Sequence, residues 1–149
     1  MGSLFPASAP FYSDLILVVE IAIGAGLIAG TFVIRAGHVR WHKYIQSSMV
    51  LVNIPVVLSW MLPSFLKNVL PDVTQEFSEE FYYVPTIMLI LGVAAETLGV
   101  YILLVAGTNW LPERLRFRRY KLWMLTELGL WWAVLLAGVA TYYVWYVPM

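Results

Sequence analysis

Glu20, Glu96 and Glu127 each stand inside an aliphatic stretch of this 149-residue chain. A carboxyl placed in hydrocarbon is costly, so by default it marks a functional site. Asn53 and Gln46 place two amides in a further apolar stretch, and these five side chains form the candidate intramembrane polar or proton site. By helix rise, Glu20 lies about 7 Å outward of the midpoint of its stretch, Glu96 within about 2 Å of its own midpoint, and Glu127 about 10 Å inward. The three form a staircase across the membrane if they share the interior of a bundle. Pro55 cannot donate to the carbonyl of Leu51, so Leu51 and Asn53 are the partners expected for a neutral Glu96. Gln46, Ser47 and Ser48 are expected nearer to Glu127.

Three kinds of chemistry fit this pattern. The carboxyls can be hydrogen-bonded fixtures that hold helices together. They can form a proton or cation path, although steps of about 7 to 10 Å exceed one hydrogen bond and require water between them. They can also pair with charges on a partner subunit.

The elements that must position these residues follow from composition. Hydrophobic residues make up 61% of the chain and charged residues 12%, too apolar a balance for an ordinary soluble domain. Four runs, at about 15–34, 44–66, 84–106 and 122–146, meet the length of about 20 residues that a membrane-crossing helix needs. Ser13 and Asp14 are expected to cap the first, Pro85 suits the first turn of the third, and Pro112 lies in the turn before the fourth. The fold class is therefore an all-α membrane protein, a single domain built as an up-down bundle of four transmembrane helices. Small residues recur at helical spacing, Ala22, Gly26 and Gly30 in the first run, Ala95 and Gly99 in the third, Ala133, Ala137 and Thr141 in the fourth, where backbones can approach closely.

Eight of the nine Lys and Arg residues fall in two loops: Arg35, Arg40 and Lys43 in the first, and Arg114, Arg116, Arg118, Arg119 and Lys121 in the third. The positive-inside rule puts both loops in the cytoplasm and both termini outside. The middle loop carries Asp72, Glu76, Glu79 and Glu80, and Asp72 with Gln75 is expected to open a short surface helix running to Phe81. Trp41, Tyr44, Trp110, Tyr120 and Trp123 form an expected inner aromatic belt, and Trp60, Tyr82, Tyr83, Tyr142, Trp145 and Tyr146 an outer one. Arg114, Arg116, Arg118, Arg119 and Lys121 are candidates for binding membrane lipids or a partner. Zero net charge gives no bulk attraction to nucleic acid. The start, Met1 to Tyr12, has no basic region of the kind a cleaved leader carries.

The chain contains no cysteine and two histidines, His38 and His42. Their spacing can place two imidazoles on one helical face, making them candidate metal ligands if others converge. The alternative is a solvated His38 and a hydrogen-bonded His42. The last two spans contain no histidine, which disfavours a bis-histidine haem clamp. No cofactor is predicted, with haem and quinone left open. No phosphate loop or nucleophilic triad is present, and the balance is against an enzyme.

The segment Arg35-Ala-Gly-His-Val-Arg-Trp-His42, with the basic turn Arg118-Arg119-Tyr120-Lys121-Leu122-Trp123 before the last span, resembles the DUF420 family of small four-span bacterial membrane proteins. The matching residues are Arg35, Gly37, Arg40 and His42. The resemblance implies a protein of the bacterial inner (cytoplasmic) membrane associated with haem-copper oxidases. The expected function is a non-catalytic accessory or assembly subunit of a membrane electron-transfer complex, partnered by other integral subunits of a respiratory complex. Two alternatives are a proton- or cation-conducting protein using the buried glutamates and a quinone- or haem-binding membrane module.

Overall fold

A computed structural model describes residues 9–74, 77–108, 110, 112–116 and 119–147. The described residues form helices joined by turns and contain no strand. Helix α1 is Phe11–Arg35, α2 is Val39–Val56, α3 is Leu62–Asn68, α4 is Glu80–Gly107 and α5 is Tyr120–Tyr146. A π-helical segment, Val57–Met61, joins α2 to α3, so both belong to one continuous span, Val39–Asn68. Four helices are thus long and apolar enough to cross a membrane. Helix α1 packs against α2 and α5, and α4 packs against α5. The ring closes through much sparser contact of α4 with α2 and α3.

Each span is longer than the apolar run that signals it. Helix α1 begins at Phe11 with Pro10 as its N-cap and no side-chain cap. Ser13 and Asp14 are therefore inside the helix, not at its cap. Asp14 is fully buried because it turns toward α5. Pro85 lies beyond the first turn of α4 and deprives the Phe81 carbonyl of its helical donor. Trp145 Nε1 replaces that donor at 3.1 Å. In the middle loop, residues 72–74 and 77–78 form turns instead of the expected surface helix. Gln75 and Glu76 lie outside the described residues.

The turn between α1 and α2 is short because Gly37 closes it at φ +84°, a conformation open to glycine without a Cβ penalty. The Gly37 amide donates to the Ile34 carbonyl at 3.0 Å and the His38 amide to the Val33 carbonyl at 3.1 Å, the paired bonds of a Schellman cap. One turn into α2, the His42 ring shares a 2.8 Å hydrogen bond through Nδ1 with the Gly30 carbonyl of α1. Gln46 Nε2 donates to the Leu27 carbonyl at 3.2 Å. Both bonds need backbone within side-chain reach, which Gly26 and Gly30 allow. A Cβ on Gly26 would lie 2.5 Å from Met49 Sδ, and one on Gly30 2.7 Å from Gln46 Nε2.

The core lies where α1, α2, α4 and α5 meet, with Ile23, Leu27, Val50, Ala95, Trp131 and Val134 buried together. Gly24 admits Leu135 of α5 against α1, at 2.9 Å from where a Cβ would stand.

In span two, Pro55 and Pro63 each remove an amide donor from the ladder. Between them the turn widens, with the Leu62 amide donating to the Val57 carbonyl. Such i→i+5 bulges concentrate at functional sites. Ser59 Oγ donates to the Pro55 carbonyl at 2.5 Å. The N-terminal half of this span is keyed to α1 by His42 and Gln46.

Because His42 is bonded to α1 and His38 is exposed, His42→Ala is expected to lower stability by about 1 kcal/mol. His38→Ala is expected to leave it unchanged. Unfolding by a graded denaturing detergent, read by helical circular dichroism, measures both, and equal effects would contradict the bonding described.

Candidate functional site

The three glutamates come from three different helices, and α2 supplies an amide to the middle one. Asn53, buried at 6% exposure, donates from Nδ2 to Glu96 Oε2 at 2.9 Å. This hydrogen bond crosses the sparsely packed α2–α4 seam. Asn53 acts as donor, whereas the sequence predicts an acceptor.

Glu127 turns inward along α5. Its Oε1 accepts from Trp131 Nε1 at 2.6 Å, a pairing one helical turn apart. The same oxygen lies 2.7 Å from where a Cβ on Gly99 would be. Gly99 is therefore the space on α4 into which the Glu127 carboxyl fits. Glu127 consequently belongs to the interior and not to the basic loop. Gln46 lies apart from it, committed to the α1 backbone, which corrects its expected place in the carboxyl group.

Above Glu96 the interior opens into a cavity of about 340 Å3. Its polar lining includes Glu20, Asn53 and Glu96. Val57, Leu58 and Met61 of the π-helical segment form part of one wall, with Met88 and Leu89 of α4 and Trp131 and Leu135 of α5 among the others. The widened turn therefore shapes the chamber directly. Leu58 and Val93, 59% and 58% exposed, also line it, so the chamber borders the lipid-facing surface at the α2–α4 seam.

Four oxygens or amide oxygens in this region are buried without a hydrogen-bond partner: Glu20 Oε1, Asn53 Oδ1, Glu96 Oε1 and Glu127 Oε2. Buried polar atoms are nearly always paired. Three of the four belong to residues lining the chamber, whose wall also carries the hydroxyls of Ser13, Thr141 and Tyr142 among mostly apolar side chains.

The end of the bundle where α1 begins and α5 ends holds contacts that sequence patterning misses. Tyr142 donates to Asp14 Oδ1 at 2.5 Å and Ser13 Oγ to Tyr146 Oη at 3.0 Å. The rings of Tyr12 and Trp60 lie 5.0 Å apart, and Phe81 stacks on Trp145 at 5.3 Å. The available signal for the first pair is an acid opening the first apolar run and a tyrosine in the last. Both residue types also have routine roles, as cap and belt.

His38 and His42 do not meet, one being exposed and the other turned to Gly30. Among the described residues, no set of three His, Cys, Asp or Glu side chains is arranged to hold a metal ion. At the basic end, Arg114, Arg119 and Lys121 are exposed. Arg116 Nη2 donates to the Thr108 carbonyl at 3.0 Å, while Arg118 lies outside the described residues.

The fold and this chamber define a multi-pass helical protein with a polar site set within its transmembrane bundle. Comparison with family models, with curated proteins and with solved structures finds no match.

The Glu127–Trp131 pair yields a direct test. Glu127→Leu leaves the buried indole N–H without an acceptor and is expected to cost about 1 to 3 kcal/mol. Glu127→Gln retains an acceptor oxygen and is expected to cost less than about 1 kcal/mol. Detergent unfolding of both variants provides the measurement, and a larger loss in the glutamine variant would refute the assignment.

Proposed function

We propose that the chain is a membrane-embedded binding module for a lipophilic small molecule with hydrogen-bonding groups on its ring, the quinone and quinol class. The observation that carries this reading is that the polar side chains of Glu20, Asn53 and Glu96, from three different helices, line one largely apolar chamber. Quinol hydroxyls can donate to carboxyl or amide oxygens of these residues, and a quinone carbonyl can accept from a neutral carboxyl. A chamber of about 340 Å3 is at the small end of ligand sites, which span about 300 to 1,000 Å3. It suits one substituted ring, with any long tail left in the bilayer beyond Leu58 and Val93.

The setting proposed for this module is that of a non-catalytic accessory or assembly subunit beside a respiratory complex such as a terminal oxidase. The resemblance at Arg35, Gly37, Arg40 and His42 supports that setting, and a quinone site is chemically compatible with it. The proposed location is the bacterial inner membrane with both termini outside, supported by the Lys and Arg distribution. Stoichiometric co-purification with oxidase subunits in mild detergent is the expected result, and isolation of the chain alone would count against this setting. The buried carboxyl oxygens of Glu20, Glu96 and Glu127 on three helices support a second reading, proton or cation conduction. In that reading Glu96→Gln abolishes flux into proteoliposomes.

The ligand reading is tested by titrating the purified chain with a short-tailed quinone and following tryptophan fluorescence, since Trp131 and Trp145 line the chamber. Saturable quenching is expected. Glu96→Gln is expected to weaken binding about 5- to 30-fold, as loss of about 1 to 2 kcal/mol of hydrogen bonding implies. Quenching that rises without saturation, with no quinone extracted from the native protein, would falsify the reading.

A further inference from the structure

Three residues that line the chamber are also exposed on the side facing α4 and span two: Leu58, Val93 and Thr97. Leu58 and Val93 are apolar, as a lipid-facing surface requires. Thr97 is the exception, a hydroxyl-bearing residue that directly follows Glu96 on α4.

Inside a helix, a threonine hydroxyl can return its proton to the carbonyl four residues earlier. The other threonines of the spans do so. Thr31 donates to Leu27 at 3.0 Å, Thr86 to Tyr82 at 2.7 Å, Thr126 to Leu122 at 3.1 Å and Thr141 to Ala137 at 2.9 Å. Just past the end of α4, Thr108 donates to Leu104 at 2.6 Å. Among the described residues, Thr97 is the helical threonine whose hydroxyl makes no hydrogen bond. Ser47 and Ser48 of α2 also make none, but neither lines the chamber.

A hydroxyl without a partner in hydrocarbon is costly, since no water is at hand to relieve it. Valine, of nearly the same shape, would avoid that cost. The fold applies its usual remedy at every helical threonine except the one beside Glu96, so a partner for Thr97 must come from outside the chain. Its position fits a ring ligand. Glu96 and Thr97 are consecutive, so their side chains leave α4 about 100° apart, one joined to Asn53 across the seam and the other at the lipid-facing edge of the chamber. A ring that offers one oxygen to Glu96 can present another to that edge, where a hydroxyl can donate to it. A hydrocarbon tail then leaves past Leu58 and Val93 without crossing a polar wall.

We infer that the Thr97 hydroxyl is a ligand contact, donating to a second oxygen of a quinone-class molecule that enters the chamber sideways from the bilayer between span two and α4. The inference rests on the ligand reading above and adds to it the residue that recognises an oxygen beyond the first.

Tryptophan quenching of the purified chain by two probes, a short-tailed dimethoxybenzoquinone and tetramethylbenzoquinone, tests the inference. Thr97→Val is expected to weaken binding of the dimethoxy probe about fivefold, as one lost hydrogen bond implies. Thr97→Ser, which keeps the hydroxyl, is expected to retain most of the affinity. Because Thr97 holds no hydrogen bond within the fold, Thr97→Val is also expected to leave detergent unfolding unchanged, a result that a merely structural role would not give. Thr126→Val, which removes a bond outside the chamber, is expected to leave affinity unchanged. Weakening of both probes by Thr97→Val identifies a ring carbonyl as the acceptor, and weakening of the dimethoxy probe alone identifies an alkoxy oxygen; either supports the inference. Unchanged affinity for both probes, or an equal loss in Thr97→Ser, would overturn the Thr97 contact and leave the chamber reading standing. Quenching of the parent chain that saturates with neither probe would overturn both.

Discussion

Hydrocarbon offers no hydrogen-bond partner, so every polar group carried into it must be answered by another part of the same fold. In this bundle that constraint selects where helices touch. The glycines of α1 expose the carbonyls of Leu27 and Gly30, and α2 answers with Gln46 and His42. Gly99 of α4 opens room for the Glu127 carboxyl, and Trp131 answers it. Pro85 strips the Phe81 carbonyl of its helical donor, and Trp145 answers that. The small residues serve backbone proximity and polar satisfaction together. Packing and hydrogen bonding therefore specify the same neighbours.

Where the constraint goes unanswered, the fold changes character. Around the chamber lie a widened helical turn, the sparse α2–α4 contact and unpaired oxygens on Glu20, Asn53 and Glu96. A core built only for stability would place complementary groups there or remove the polar ones, since burying them unpaired costs about 1 to 3 kcal/mol each. Their retention beside a chamber of about 340 Å3 is the physical case for a binding role. The two prolines eight residues apart create the chamber wall by the same loss of donors that would otherwise destabilise a span.

Much of this architecture is legible in the sequence because a bilayer imposes length and apolarity on each span. The four spans, the inward carboxyls and Asn53 as one of the two partners expected for Glu96 follow from spacing and depth. Span ends are less legible: Ser13 and Asp14 look like caps, yet α1 starts at Phe11 and Asp14 reaches α5. The depth argument also misplaces Gln46. Its amide instead reaches the Leu27 carbonyl, a backbone partner brought close by Gly26 and Gly30 that depth alone does not reveal. The chamber is invisible to patterning because it arises from a change in helical winding and from the absence of contact. The motif at 35–42 is recognisable as a string, while its reason is local geometry, a Schellman cap at Gly37 and a ring anchored on Gly30.

That cap has a consequence for inheritance of the fold. His42, Gln46 and Asn53 lie at intervals of four and seven, one stripe along α2, and a residue advances the stripe by about 100°. Three residues, Ala36 to His38, separate α1 from α2, so the turn sets the angular phase of the whole second span. A single insertion there would rotate the stripe by more than a quarter circle, separating His42 from Gly30 and Asn53 from Glu96 in one event. Sequence drift in this loop is consequently limited to substitution at constant length, even though its side chains are largely exposed.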